Sequence, residues 1–367
     1  MDACLFSAER AFAQIDTTAL HRNFCLLRQT VRRHRPDTRV IAVVKCNAYG
    51  HGLLRTAAIL SAAGCDFFAV ATAEEALTLR TAQRRAEILV LGYTPPSQAP
   101  LLAAARITQA VFSAPYAAAL SAALEGDLPL QIHLKLDGGL CREGFDYADT
   151  EGIFFALRQK NLAPHGLFTH FPVADTDPAA TAASLSRFLA LHRALAQSGH
   201  RLFAHAAASA AALTLPESVL DGVRLGISLY GISPVQTALP LTPTLSLRAP
   251  VQQLRTVPAG TPVGYGGDFV TKRESRIGTL PLGYGDGLDR RTNGFSVTLH
   301  HGAARFRAAV CGRVSMDMTT VDLTDTPAAV GDTVCLWDNA ATPAAYLGRI
   351  PYEILTALSA RLTRIYV

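Results

Sequence analysis

No two of the seven cysteines (Cys4, Cys25, Cys46, Cys65, Cys141, Cys311 and Cys335) form a CxxC pair. Scattered and odd in number, they suggest reduced thiols in a cytoplasmic protein rather than a disulfide framework or a zinc site. No uncharged apolar run reaches the roughly 18–20 residues of a spanning helix, so no membrane span is expected. The opening MDACLFSAERAF lacks a basic stretch leading into an apolar one, so no secretory signal is expected. Charged residues are sparse at 17%, and the net charge of +5 is mild. The arginines of RQTVRRHRPDTR (28–39) are not interleaved with aromatics, so this run is a solvated helix end and loop, not a nucleic-acid surface. A Walker loop, an HExxH pair and any histidine–carboxylate spacing suited to a metal are also missing. GISLY (226–230) begins like a nucleophile elbow but lacks its second glycine. GYGGDF and GYGDG are weak as nucleotide loops, because no helix follows them.

Hydrophobic residues make up 49% of the 367, which fits a globular chain of one large domain and a smaller one. From residue 40 to 231 short apolar runs alternate with Ala/Leu/Arg-rich segments of helical spacing. The runs are VIAVVK (40–45), FFAVAT (67–72), EILVLG (87–92), ITQAVFS (107–113), LQIHLKLD (130–137), APHGLFTHF (163–171), RLFAHAAAS (201–209) and GVRLGISLYG (222–231). Several are apolar without alternation, as parallel strands covered on both faces are. Eight strands with intervening helices predict an α/β fold, a (β/α)8 TIM barrel over 1–236. Beyond it the grammar changes. SPVQTALPLTPTLSLRAP (233–250) reads as a linker into an edge strand, and RIGTLPLG, FSVTLH, FRAAVCG, TTVDL and DTVCLW follow as short strands between Gly and Pro turns. A mostly β C-terminal domain is therefore expected over 237–367, with YEILTALSARL (352–362) its one helical stretch.

In a barrel of this kind the active site forms where strands end. Lys45 ends the first strand in AVVKCNAYGHG. Lys135 and Asp137 lie at the fifth, His170 at the sixth, Ser209 at the seventh, and Arg224 and Gly226 near the eighth. An amine at a barrel mouth can form a Schiff base with an aldehyde substrate or with pyridoxal 5′-phosphate. The second choice needs a phosphate cradle, which the Ser209 hydroxyl and the backbone N–H groups of Gly226 and Ile227 can supply. Tyr49, four residues past the lysine, can add a phenol.

These stretches resemble the alanine racemase family along almost the whole chain. VVKCNAYGHG, HLKLDGGLCREGF, GLFTHFPVAD, HAAASAA, VRLGISLYG, VGYGGDF, IGTLPLGYGDG and VCGRVSMDM match its pattern in order. The resemblance implies a pyridoxal 5′-phosphate enzyme that interconverts L- and D-alanine, in which Lys45 carries the cofactor and acts as one base. It implies that Tyr265 is the second base, working in the barrel mouth of a partner subunit, so a homodimer with shared sites is expected. Arg224 resembles the arginine facing the pyridine nitrogen, with His170 behind it. Arg142 resembles the arginine that bonds the catalytic tyrosine and the substrate carboxylate. Met316 resembles the residue whose backbone N–H receives that carboxylate, supported by Asp317, and Tyr284 is expected to line the substrate corridor. Lys135 resembles a lysine that many members carry as a carbamate pairing with Arg142; an ordinary lysine paired with Asp137 is the alternative. The product, D-alanine, would serve peptidoglycan supply or catabolism.

The sequence departs from the family pattern twice. Ala208 precedes the phosphate serine where the family often has Asn, and Ala360 stands where many members have a phosphate-binding tyrosine, leaving Ser359 or a water to substitute. The loss enlarges the pocket mouth, so a racemase of serine or another amino acid remains open. A non-catalytic vitamin B6 carrier would lack the second domain and Tyr265. A related decarboxylase of basic amino acids would place an acid, not Arg224, at the pyridine nitrogen.

Overall fold

Parallel, doubly covered strands are the most apolar segments of the chain, and they appear where the sequence puts them. The computed structural model describes residues 10–125 and 128–367, so Cys4 and most of the opening segment lie outside the described residues. After β1 (Phe12–Ile15) come the parallel strands β2 (Arg39–Val43), β3 (Phe67–Val70), β4 (Glu87–Val90), β5 (Thr108–Val111), β6 (Leu130–Lys135), β7 (Leu162–Phe168), β8 (Phe203–His205) and β9 (Gly222–Leu225). These eight form one sheet in the order β8-β7-β6-β5-β4-β3-β2-β9. It closes between β8 and β9 through a single parallel bridge, Ala208 to Arg224. Every residue of β3, β5 and β9 is buried, the pattern of strands packed on both faces. Helices such as Ala73–Ala82 and Pro178–Gln197 run between the strands, capped by Thr72 and Asp177. The barrel is a (β/α)8 barrel, as expected.

The second unit is built on a nine-stranded sheet, and it corrects the sequence reading in three places. β10 (Leu245–Pro250), β11 (Gln253–Val257), β12 (Pro262–Val263), β13 (Phe269–Val270), β14 (Ser275–Leu280), β15 (Ser296–His301), β16 (Ala304–Val310), β17 (Thr319–Asp322), β18 (Thr333–Trp337) and β19 (Thr363–Tyr366) follow the barrel. The sheet order is β11-β14-β17-β16-β15-β18-β10-β1-β19, with β12 and β13 forming a separate ribbon. β10 is therefore interior rather than an edge strand, because β1 pairs antiparallel with it from the far end of the chain. The unit takes in β1 and Tyr49–Gly52 as well as Thr242–Val367. The expected helix over 352–362 stops at Thr356, and the β-branched, aromatic run Thr363–Tyr366 pairs parallel with β1 instead. A further helix, Ala341–Leu347, was not legible in the sequence.

Candidate active site

Lys45 follows β2 on a turn of unusual hand. Cys46, Asn47, Ala48 and Tyr49 have φ of 53°, 54°, 54° and 51°, a left-handed turn made without glycine. Each L-residue there costs about 1–2 kcal/mol, so the surroundings must impose the shape. Ala48 N–H donates to Val44 O at 2.8 Å, and the Asn47 side chain accepts from Leu53 N–H at 2.8 Å. The Glu75 carboxylate accepts from Asn47 N–H at 3.3 Å and from Ala71 N–H at 2.9 Å, tying the turn to the end of β3. The amine thus stands at a strand end on a base that is held from several sides.

The neighbouring strand carries Arg224, whose Cα pairs with that of Ile41 on β2. Its side chain is buried and gives up every contact as a donor. It donates to His205 Nδ1 at 2.8 Å, His205 O at 2.7 Å, Thr169 O at 2.6 Å and Ala206 O at 2.9 Å. Burial pushes the guanidinium down to about 9, still above neutral pH, so it remains charged. Since a guanidinium has no acceptor, His205 Nδ1 must be bare and His205 Nε2 must hold the proton. His205 Nε2 lies 2.8 Å from His133 Nδ1, so His133 accepts there and carries its own proton on Nε2, a buried atom without a partner. Burial is the main cause holding both rings neutral: His133 is pushed down to about 3 and His205 well below the usual histidine range. His170 lies farther from Arg224, with 3.5 Å between Nη2 and Nδ1, so His205 rather than His170 makes the short contact. His170 is also pushed down to about 3, by burial first and then by the charges of Arg224, Arg142, Lys45 and Lys135.

At the ends of the seventh and eighth barrel strands Gly226 N–H donates to Ser209 Oγ at 3.2 Å, with Ile227 buried next to it. Beyond β6 the chain makes a closed excursion, because Phe145 N–H returns to Lys135 O at 2.8 Å and Asp137 N–H reaches Phe145 O at 3.0 Å. Asp137 Oδ1 accepts from the N–H groups of Gly139, Leu140 and Cys141, so it is spent on its own loop. Lys135 therefore does not pair with Asp137. Its ammonium lies 2.8 Å from Glu143 Oε2. Gly144 closes the excursion at φ 143°, and a Cβ there would lie 2.3 Å from Asp137 N.

In the second unit Tyr265 stands between Gly264 (φ 75°) and Gly266 (φ 78°), and is 69% exposed. The Arg313–Asp268 ion pair braces this turn. Asp286 of the GYGDG turn is fully buried, with Oδ1 2.8 Å from both Arg10 and Arg361. Arg361 also reaches Asp317 Oδ1 at 2.8 Å, while Gly285 N–H donates to Met316 O at 2.9 Å. Tyr284, Met316 and Asp317 are thereby set side by side, all exposed. Tyr49 belongs to this unit, its ring 6.0 Å from that of Tyr352. Ser359 Oγ is buried without a hydrogen-bond partner, two residues before Arg361.

The barrel thus gathers Lys45, Lys135, His170, Ser209, Arg224, Gly226 and Ile227 at its strand ends, and the β unit gathers Tyr265, Tyr284, Met316 and Asp317 on its turns. Sequence reasoning missed His205, Glu143, Asp286 and Arg361. The first was in view within HAAASAA, but only the fold shows which nitrogen Arg224 meets.

A (β/α)8 barrel with a lysine just past a strand end and a buried arginine on the neighbouring strand, together with a mostly antiparallel β unit, is the architecture of a class of amino-acid enzymes. Residues 15–234 match the family described as alanine racemase, N-terminal domain, and residues 244–366 match alanine racemase, C-terminal domain. The chain belongs to the alanine racemase family, whose members are pyridoxal 5′-phosphate-dependent amino-acid racemases. It is 37% identical to an alanine racemase of Desulfovibrio desulfuricans over 97% of this chain and 98% of that one. The crystal structure of the Bacillus anthracis alanine racemase with bound L-Ala-P superposes with a TM-score of 0.90 at 31% identity, covering 98% of this chain and 95% of that one. A histidine racemase from Leuconostoc mesenteroides superposes with a TM-score of 0.85 at 29% identity, covering 98% of each. No described helix is long and apolar enough to cross a membrane.

Proposed function

We propose that the protein interconverts L-alanine and D-alanine with pyridoxal 5′-phosphate, as a cytoplasmic homodimer that supplies D-alanine for peptidoglycan. The observation that carries this reading is the donor-only guanidinium of Arg224, buried on the strand beside the one that Lys45 follows. The donor set fits the cofactor. Lys45 offers the amine, Ser209 with Gly226 and Ile227 offers phosphate contacts, and Arg224 with His170 faces the ring. Ser359, beside Ala360 where many members carry a phosphate-binding tyrosine, has a buried hydroxyl without a hydrogen-bond partner.

When bound, the cofactor supplies the aldehyde for Lys45 and a ring that withdraws electrons from the substrate Cα–H bond. Arg224 can only donate, so it leaves the ring nitrogen without a proton and keeps that withdrawal moderate. This favours quick return of the proton to carbon over transamination. Lys45 takes or returns the Cα proton on one face. A single base would restore the hand it started from, so a second is needed opposite, and Tyr265 of the partner subunit fills that role. Arg142 orients that phenol and the substrate carboxylate. The Met316 backbone N–H, backed by Asp317, receives the same carboxylate, and Tyr284 lines the approach.

The test is chiral chromatography of products from a panel of L-amino acids, using protein loaded with the cofactor. Fastest turnover of alanine supports the proposal. Serine or histidine ahead of alanine replaces the substrate and keeps the two-base mechanism, and no turnover of any amino acid by loaded protein makes the chain a cofactor carrier.

A further inference from the structure

The interior of the barrel holds a polar side chain to which the proposed reaction gives no task. His133, on β6, is fully buried, and its Nδ1 lies 2.8 Å from His205 Nε2. The fold makes room for this ring. The pairing of β6 with β7 shifts register between Ile132 and His133, which sets Gly166 opposite His133. A Cβ on Gly166 would lie 2.5 Å from atoms of the imidazole, so only glycine leaves the space. The Phe67 ring stands edge-on to His133, 6.1 Å away at 87°. His205 is held as firmly: it stacks on Phe168, with centroids 4.8 Å apart and planes 7° apart, and Arg224 Cζ lies 5.3 Å from the same Phe168 centroid. Two imidazoles and a guanidinium are thus packed in fixed planes, with His133 accepting the proton that His205 carries on Nε2.

We propose that His133 is a positioning residue for Arg224: by accepting the Nε2 proton of His205 it keeps His205 Nδ1 bare, and so fixes the guanidinium that faces the cofactor ring. In a neutral imidazole the hydrogen bond made by one nitrogen decides which of the two carries the proton. Without an acceptor at position 133, His205 is free to place its proton on Nδ1. Two donors would then face each other across the 2.8 Å that now separates Arg224 Nη1 from His205 Nδ1. Arg224 would keep the carbonyls of Thr169, His205 and Ala206 but lose its shortest ring contact, since His170 Nδ1 lies 3.5 Å away. A guanidinium free to pivot aims its donor less well. The consequence for turnover rests on the racemase reading above, but the tautomer of His205 can be read without any turnover.

The experiment is nitrogen NMR of cofactor-loaded protein labelled at its histidine nitrogens, paired with racemisation kinetics. Wild type is compared with His133→Leu, which fills the space without an acceptor, and His133→Asn, whose amide oxygen can stand where Nδ1 stood. The His205 signals are assigned by their loss in His205→Asn. Wild type should show His205 protonated on Nε2 alone, His133→Leu a mixture of tautomers, and His133→Asn the wild-type pattern. In His133→Leu kcat should fall about tenfold, the worth of one hydrogen bond lost from the barrier, with KM little changed. His133→Asn should recover most of that loss. In a His205→Asn background, which leaves His133 no proton to accept, His133→Leu should cost nothing further. If His133→Leu does not fold, His133→Met takes its place, and the wild-type spectrum decides the tautomer without any variant. A wild-type His205 protonated on Nδ1 or on both nitrogens overturns the proposal. So does a His133→Leu protein with the wild-type tautomer, or a His133→Asn protein as impaired as His133→Leu. Failure of the racemase reading would appear separately, as wild type that lacks turnover while the NMR pattern holds.

Discussion

Arg224 and His205 share a hydrogen bond of 2.8 Å in which only one partner can be the donor, and that single fact fixes the protons of two histidines. His205 must protonate on Nε2 and His133 must accept from it, so a line of defined tautomers runs from Arg224 into the barrel interior. Arg224 is held by the His205 ring and by three backbone carbonyls, which is how a long side chain becomes a rigid donor.

This line carries a prediction about acid. His133 and His205 are neutral in the fold, with pKa values pushed down to about 3 and well below the ordinary range. An unfolded chain takes up both protons below about pH 6.5, so the unfolded state then binds more protons and stability falls with pH. The unfolding free energy should be level above about pH 7 and decline below about pH 6.5, with a slope of about 1.4 kcal/mol per pH unit for each histidine. His133→Gln should flatten the decline. A profile level from neutrality down to about pH 4 would rule out the neutral pair.

Lys45→Ala should abolish the visible absorbance of the lysine-bound cofactor together with racemisation. Tyr265→Phe should keep that absorbance and lose about 10²–10⁴-fold in turnover, the usual worth of a placed acid–base group. Mixed dimers of the two inactive chains hold one intact site if Tyr265 serves the other subunit's Lys45. Activity should then recover in part, and its absence from isolated heterodimers would place both bases on one chain.

Asp286 links two regions of the β unit. Replacing it with Ala strips Arg10 and Arg361 of a shared buried partner and leaves Gly283 N–H, 3.0 Å from Asp286 Oδ2, without an acceptor. The loss should be roughly 2 kcal/mol of unfolding free energy, measured by denaturant titration. Arg361 would also lose its anchor next to Asp317, so KM for the amino acid should rise more than kcat falls. A variant with unaltered KM would mean that Met316 and Asp317 do not meet the substrate.

The eight barrel strands were legible because a doubly buried parallel strand has no polar face, so each shows as an uninterrupted apolar run. Lys45, Ser209 and Arg224 were legible because strand ends of such a barrel are where polar side chains converge. What the sequence hid depended on distance along the chain. β1 pairs with β10 more than 200 residues away, as Phe12 with Arg248, and nothing local marks that partnership. Asp137, the nearest acid along the strand, seemed the natural mate for Lys135, yet its carboxylate is consumed by three backbone N–H groups and Glu143 takes its place. The preference of Arg224 for His205 over His170 is likewise a matter of tenths of an ångström, which no spacing rule encodes.

The turn after Lys45 has a stereochemical consequence. At φ 53° and ψ 53°, Cys46 occupies the mirror image of the ordinary helical region, and its side chain is exposed. A D-residue adopts that geometry by default, so a semisynthetic chain with D-cysteine at this position should fold with the local penalty of about 1–2 kcal/mol removed. The reactive amine of an enzyme proposed to erase the difference between two enantiomers is thus presented on backbone that itself favours the opposite one.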